Sequence, residues 1–222
     1  MTITCNSLNK TYMQGDLPIH AVRDCNIKIA ESSFTVITGA SGSGKTTLLN
    51  LLAAFDLPTT GTVMYDDRNI FKFSAAEQCR FHNKTIGYVF QDFRLLPILT
   101  VKENILTPAV ISNNKPSKYY FESLVETLGL SDRLDHLPHE ISGGQRQRCA
   151  VARALINKPD VLLADEPTGN LDRESSESLI SLMLKLHEEY GQTMIIVTHD
   201  EKIADLADNV YHMDLGEIKR SN

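Results

Sequence analysis

Hydrophobic positions along this 222-residue chain fall into three regimes. The first 38 residues read as strands: 2–8 alternates loosely, Cys25, Ile27 and Ile29 alternate cleanly, and 34–37 is a β-branched run. Residues 45–55 then follow a helical pattern. Residues 62–65 read as a short strand between turns at 59–61 and 66–69, and 86–90 as a strand ending at Gln91. From about 92 to 157 the pattern turns helical. Residues 117–130 carry Phe121, Leu124, Val125 and Leu128 at spacings of three and four. Leu137-Pro138 interrupts, and a long helix runs from Ser142 to Asn157 until Lys158-Pro159 stops it. The tail returns to alternation, with buried strands at 160–164 and 193–198, a helix at 175–190, and a hairpin at 209–219 turning at Leu215-Gly216. Continuous apolar strands alternating with helices predict an α/β fold, a parallel sheet covered on both faces. The helical middle reads as a subdomain inserted into it.

The strand at 34–37 runs into Gly39-Ala40-Ser41-Gly42-Ser43-Gly44-Lys45-Thr46, which fits the phosphate-cradling pattern G-x-x-x-x-G-K-[ST]. Gly39, Gly42 and Gly44 let backbone N–H groups turn inward around phosphate oxygens. The helix that follows adds positive charge at its N-terminus. Lys45 is placed to reach the β- and γ-phosphates, Thr46 to offer its hydroxyl to Mg²⁺, and Thr47 to contact the α-phosphate. A second glycine-rich turn, Ser142-Gly143-Gly144-Gln145, opens its own helix. Ser142 is a good N-cap, and the two glycines leave amides open to a phosphate. Alone it reads as a capped helix; with the first turn, it implies a nucleotide held from two sides.

Phosphate chemistry also needs carboxylates. The buried strand at 160–164 ends in Asp165-Glu166, with Pro167 enforcing a turn. Asp165 suits the metal shell and Glu166 a general base for the attacking water. Gln91, His199 and Asp172 also follow apolar runs or turns, and ligands of open α/β sheets gather at the carboxyl ends of strands. Taken alone, His199 reads as a capping or surface histidine and Gln91 as a loop glutamine.

Composition narrows the choice. A net charge of −6 gives nucleic-acid binding no electrostatic footprint, and none is expected. Cysteines 5, 25, 79 and 149 lack C-x-x-C or zinc-ligand spacing and are read as reduced and structural. No basic start with an apolar run marks a signal peptide. The longest nearly apolar stretch, 48–55, is far shorter than the roughly 20 residues of a spanning helix. The expectation is a cytoplasmic protein, with any spanning segments supplied by another chain.

Taken in order, the loop at 39–47, Gln91, Ser142–Gln145, Asp165-Glu166, Asn170-Leu171-Asp172 and His199 make the chain resemble the nucleotide-binding subunit of ABC transporters over nearly its whole length. The resemblance implies a P-loop NTPase of the ABC ATPase type: a mostly parallel sheet core, an N-terminal antiparallel β subdomain and an inserted α-helical subdomain. One domain would span 1–222, with the core in 1–91 and 158–222 and the helical subdomain in 92–157. It implies ATP and Mg²⁺ as cofactors. By the same resemblance, Tyr12 stacks on adenine, Gln91 touches Mg²⁺ and senses the transmembrane partner, and Ser142–Gln145 cap the γ-phosphate of ATP bound to the opposite subunit. Asp165 and Glu166 become the metal-shell aspartate and the catalytic base, Asp172 couples two sites across a dimer, and His199 is the switch on the γ-phosphate. Departures are mild: Ile141 stands where leucine is usual, and Ala53-Ala54-Phe55 replaces a glycine pair and leucine.

Residues 90–97, 164–172 and 196–200 look like the group of macrolide exporters, lipoprotein-release ATPases, peptide-antibiotic resistance transporters and the cell-division ATPase. The partners implied are a second copy, head to tail around two ATP, and a transmembrane permease on a separate chain that holds the cassette at the inner face of the membrane. Two readings stay open: export or mechanotransmission, and regulation of a membrane partner without transport, as in cell division. A DNA-repair or translation machine would carry a coiled-coil insertion or a second cassette, and neither is present.

Overall fold

The computed structural model describes residues 1–221 and divides them into two units. One joins Met1–Arg80 to the stretch from Gln192 onward; the other is Phe81–Gly191.

In the first unit, strands β1 (Ile3–Gln14) and β2 (Leu17–Ile29) form a long antiparallel hairpin. After β3 (Phe34–Thr38) and helix α1 (Lys45–Leu52), β4 (Thr60–Tyr65) and β5 (Arg68–Asn69) extend the hairpin into a sheet of order β2-β1-β4-β5. The hairpin is longer than its apolar pattern. Its outer halves carry exposed Met13, Leu17 and Ile19, so no buried face imposes alternation there. Where the register slips, Ser7 and Asp24 turn left-handed, and Asn26 Oδ1 and Asn9 Oδ1 accept from their amides at 2.8 and 2.9 Å. Side-chain oxygens thus replace the interrupted ladder. Helix α2 (Ala75–Arg80) closes this stretch with no buried residue, so Cys79 is exposed. That corrects the expectation of four structural cysteines; Cys5, Cys25 and Cys149 are buried free thiols.

The same unit holds a second set of strands. β3 lies between parallel neighbours β8 (Thr193–Thr198) and β9 (Asn209–Asp214), with β10 (Glu217–Arg220) antiparallel to β9. Every residue of β3 and β8 is buried, which is why both read as unbroken runs. The short helix α7 (Glu201–Ala204) follows β8.

In the second unit, β6 (Ile86–Val89) and β7 (Val161–Asp165) pair in parallel, both fully buried. The helices are α3 (Val101–Ile111), α4 (Lys118–Thr127), α5 (Gly143–Leu155) and α6 (Arg173–Tyr190). Helix α3 is not predicted by periodicity, and it contains Pro108. It forms because Thr100 and Glu103 make a capping box and buried Asn104 donates to the carbonyls of Leu96, Leu99 and Thr100. Tyr120 Oη donates to Leu155 O at 2.8 Å, fastening α4 to α5. Helix α6 starts two residues ahead of its apolar pattern because Asp172 caps it.

Candidate nucleotide site

The loop between β3 and α1 is held from behind by backbone. A side chain on Gly39 would strike the carbonyl of Met213 on β9, and one on Gly44 that of Ala21 on β2. Gly216 N donates to Ser43 O at 2.9 Å. The front is different. A Cβ on Gly42 would meet nothing within 4 Å. Gly44 caps α1 in the left-handed region without any side-chain hydrogen bond. Ser43 Oγ is buried with no partner. Lys45 is 6% exposed and its Nζ donates to Gly39 O and Ala40 O at 2.7 and 3.0 Å, so the ammonium lies along the loop it belongs to. An open-fronted glycine loop, a helix start without a side-chain cap bond, an unpartnered buried hydroxyl and a held cation together fit a polyphosphate.

Two more expected residues belong to this unit. Thr38 and Thr198 are register partners in β3 and β8, so the phosphate loop and His199 leave neighbouring strands at the same end. Asp200 caps α7 beside His199, accepting from Lys202 N at 3.0 Å. Tyr12, on β1, is held by its hydroxyl, which donates to Asp56 Oδ2 at 2.6 Å and lies in hydrogen-bonding reach of Thr47. Lys10 Nζ bonds Asp56 Oδ1 at 2.7 Å and sits 4.7 Å from the centre of the tyrosine ring. Burial raises the Asp56 carboxyl, but the bonds from Lys10 and Tyr12 outweigh it and hold the group below the ordinary aspartate range. Burial, with the Asp56 bond, pushes the Tyr12 hydroxyl up, so it stays a donor.

The second unit gathers the carboxylates and Gln91. Val89 and Ala164 are register partners, so Gln91 and Glu166 follow parallel strands at one end. Glu166 sits at φ 43, a left-handed conformation a non-glycine residue adopts at a cost of about 1–3 kcal/mol. The turn after it is closed by Gly169 N donating to Glu166 O and Leu171 N to Thr168 O, both at 3.0 Å. Asn170 Nδ2 donates to Gln91 O at 2.8 Å, and a Cβ on Gly169 would lie 2.9 Å from Gln91 Nε2. Asp165 is 9% exposed at the end of β7. Ser142 and Gln145 close a capping box at the start of α5: Ser142 Oγ accepts from Gln145 N at 3.2 Å and Gln145 Oε1 from Ser142 N at 2.9 Å. Asp172 accepts from Ser175 N at 2.9 Å and Ser175 Oγ at 2.7 Å, and these bonds lower its carboxyl.

A profile of the ABC transporter family matches residues 22–169, well over half of the sequence. The chain belongs to the ABC transporter family. It is an ATP-binding ATPase cassette of that family, with the α/β cassette fold. The lipoprotein-releasing system ATP-binding protein LolD of Syntrophotalea carbinolica is 43% identical to this cassette over 97% of the chain and 96% of its own length. The macrolide export ATP-binding/permease protein MacB of Rhodopirellula baltica is 40% identical over 95% of the chain but only 31% of that longer protein. Among solved structures, the dimeric ABC transporter cassette MJ0796 superposes with a TM-score of 0.90 at 37% identity, covering 98% of this chain and 97% of that one. The same cassette in a post-hydrolysis dimer bound to ADP and Pi gives 0.87 at 35% identity, covering 98% of each chain.

Several residues that build this cassette's site are not legible as motif. Asp56, 44 positions along the chain and itself paired with Lys10, bonds the Tyr12 hydroxyl. Gln147 and Arg153, both on α5, bind carbonyls on either side of Gln91. Their one sequence signal is a polar side chain within an otherwise apolar helix face.

Proposed function

We propose that this cassette drives a membrane permease carried on a separate chain, of the lipoprotein-release or macrolide-export type, working as two identical subunits placed head to tail. The observation that carries the nucleotide reading is the phosphate loop, open in front of Gly42 and with the Ser43 hydroxyl buried and unpartnered. The likeness to LolD along nearly the full length of both chains supports the permease class. No helix among the described residues is long and apolar enough to cross a membrane, so attachment to the inner face falls to the permease.

In this reading residues 39–47 hold the phosphates, Lys45 balances their charge and Tyr12 stacks on adenine. Thr46, Gln91 and Asp165 serve Mg²⁺. A hydroxyl, an amide and a carboxylate suit an ion that keeps waters and fills its shell with phosphate oxygens. When bound there, Mg²⁺ would supply positive charge to offset that of the phosphates. Glu166 accepts the proton of the attacking water as its oxygen bonds to the γ-phosphorus and the bond to the leaving ADP oxygen breaks. His199 contacts the γ-phosphate. Ser142–Gln145 complete the pocket of the partner copy, and Asp172 couples the two pockets. Closure supplies these donors and excludes water, so preorganised electrostatics carry most of the rate.

The test is hydrolysis as a function of dilution. Turnover per subunit should fall steeply as the protein is diluted. Undiminished turnover from a monomer at every concentration overturns the shared pocket. Co-purification with a permease, and loss of its export on Glu166→Gln, tests the transport reading.

A further inference from the structure

Gln147 lies on α5, two residues beyond the capping box, and is completely buried. Its Nε2 donates to Pro167 O at 2.8 Å and to Phe90 O at 3.3 Å. Both partners are carbonyls and accept only, so the amide orientation follows from chemistry: the NH₂ faces them. Its Oε1 is buried without a partner. Leaving such an oxygen unsatisfied is costly. That cost is borne at a specific place, since Pro167 directly follows Glu166 and Phe90 directly precedes Gln91.

The surroundings need such a clamp. Glu166 is held at φ 43, and Phe93 and Arg94 at φ 62 and 45. Strained peptides persist only where neighbours over-determine them. Arg153, two turns further along α5, donates to Phe93 O at 2.7 Å and also to Arg94 O. Asn170 holds Gln91 O from the other side. The segment around Gln91 is therefore fastened to α5 before and after the glutamine, and Gln147 also holds the carbonyl of Pro167, the residue after Glu166.

We propose that Gln147 is a positioning residue for hydrolysis: its amide locks the carbonyls next to Glu166 and Gln91 and ties both to the helix that opens at Ser142. Displacement at the Ser142–Gln145 turn is thereby passed along a rigid helix to the base and to the glutamine together. The inference rests on the proposed roles of Glu166 as the base and of Gln91 as the glutamine that serves Mg²⁺.

The experiment measures kcat and the KM for ATP of the full chain with Gln147→Leu and Gln147→Glu. The leucine variant keeps volume and removes both donations. It should lower kcat roughly 10- to 100-fold, the scale of a misplaced catalytic group, with KM within about three-fold. A folded leucine variant with kcat within about two-fold of the parent overturns the proposal. The glutamate variant separates positioning from folding. Ionised, its carboxylate opposes two carbonyls; protonated, it donates again, and burial favours protonation. Its kcat relative to the parent should rise at least about five-fold from pH 9 to pH 6. A flat ratio overturns the proposal even if the leucine variant fails to fold. Glu166→Gln, run alongside, separates the premises: normal turnover there removes Glu166 as the base, whereas lost turnover there with an unaffected Gln147→Leu removes only the clamp.

Discussion

Helices α1 and α5 both start on glycines after a polar turn, yet the two starts are built in opposite ways. Gly44 caps α1 with no side chain, and the buried Ser43 hydroxyl beside it has no partner. Ser142 caps α5 in a closed box with Gln145, which uses the amides of those two residues and leaves those of Gly143 and Gly144 outside it. The first start is left without any side-chain partner, as the proposed phosphate site requires. The second is already a stable helix end with a small anion-facing remainder. A turn that secures itself can be presented rigidly to a phosphate bound elsewhere, whereas the loop that binds tightly must keep its donors unspent.

The largest test of this contrast stops chemistry while both turns remain. Glu166→Gln should lower turnover by about 10²- to 10⁴-fold with ATP affinity retained, and size-exclusion chromatography with ATP should show a persistent dimer; a monomer would break the two-turn picture. Next, Lys45→Ala should weaken ATP binding by roughly 100-fold, the effect of losing a charged partner, read by titration with a fluorescent nucleotide. Ser142→Ala should leave nucleotide binding by the dilute chain intact, lower the turnover of concentrated protein, and cost about 0.5–2 kcal/mol of stability through the lost cap. Equal loss of binding in the Lys45 and Ser142 variants would erase the distinction between the two starts.

The smallest effect lies at Tyr12. The Asp56 carboxyl is lowered in the folded chain, so its contribution is present above the ordinary aspartate value, about 4, and is lost as pH falls through the lowered value. Asp56→Asn should therefore flatten the acid limb of the stability curve. The change should be no more than about 1 kcal/mol, because the pair with Lys10 is partly exposed. Urea melts between pH 5 and 3 measure it.

What was legible followed local rules. The runs at 34–37 and 193–198 are strands because every position is buried, and the two glycine turns announce helix starts through caps and spacing. Helix α3 escaped because Pro108 and a mixed apolar pattern hide its period, although Thr100 and Glu103 carried a readable capping box. The outer hairpin escaped because exposed strands have no face to alternate against.

The amino-acid order by itself determined the phosphate loop, the acidic strand end and the capped turn, since each is written within a few consecutive residues. Folding alone decided what holds them. Thr38 meets Thr198, Tyr12 finds Asp56 across 44 positions, and Gln147 reaches Phe90 across 57. Periodicity encodes neighbours three or four residues apart; partners this distant are chosen by strand register and helix packing, and those exist only once the chain has closed on itself.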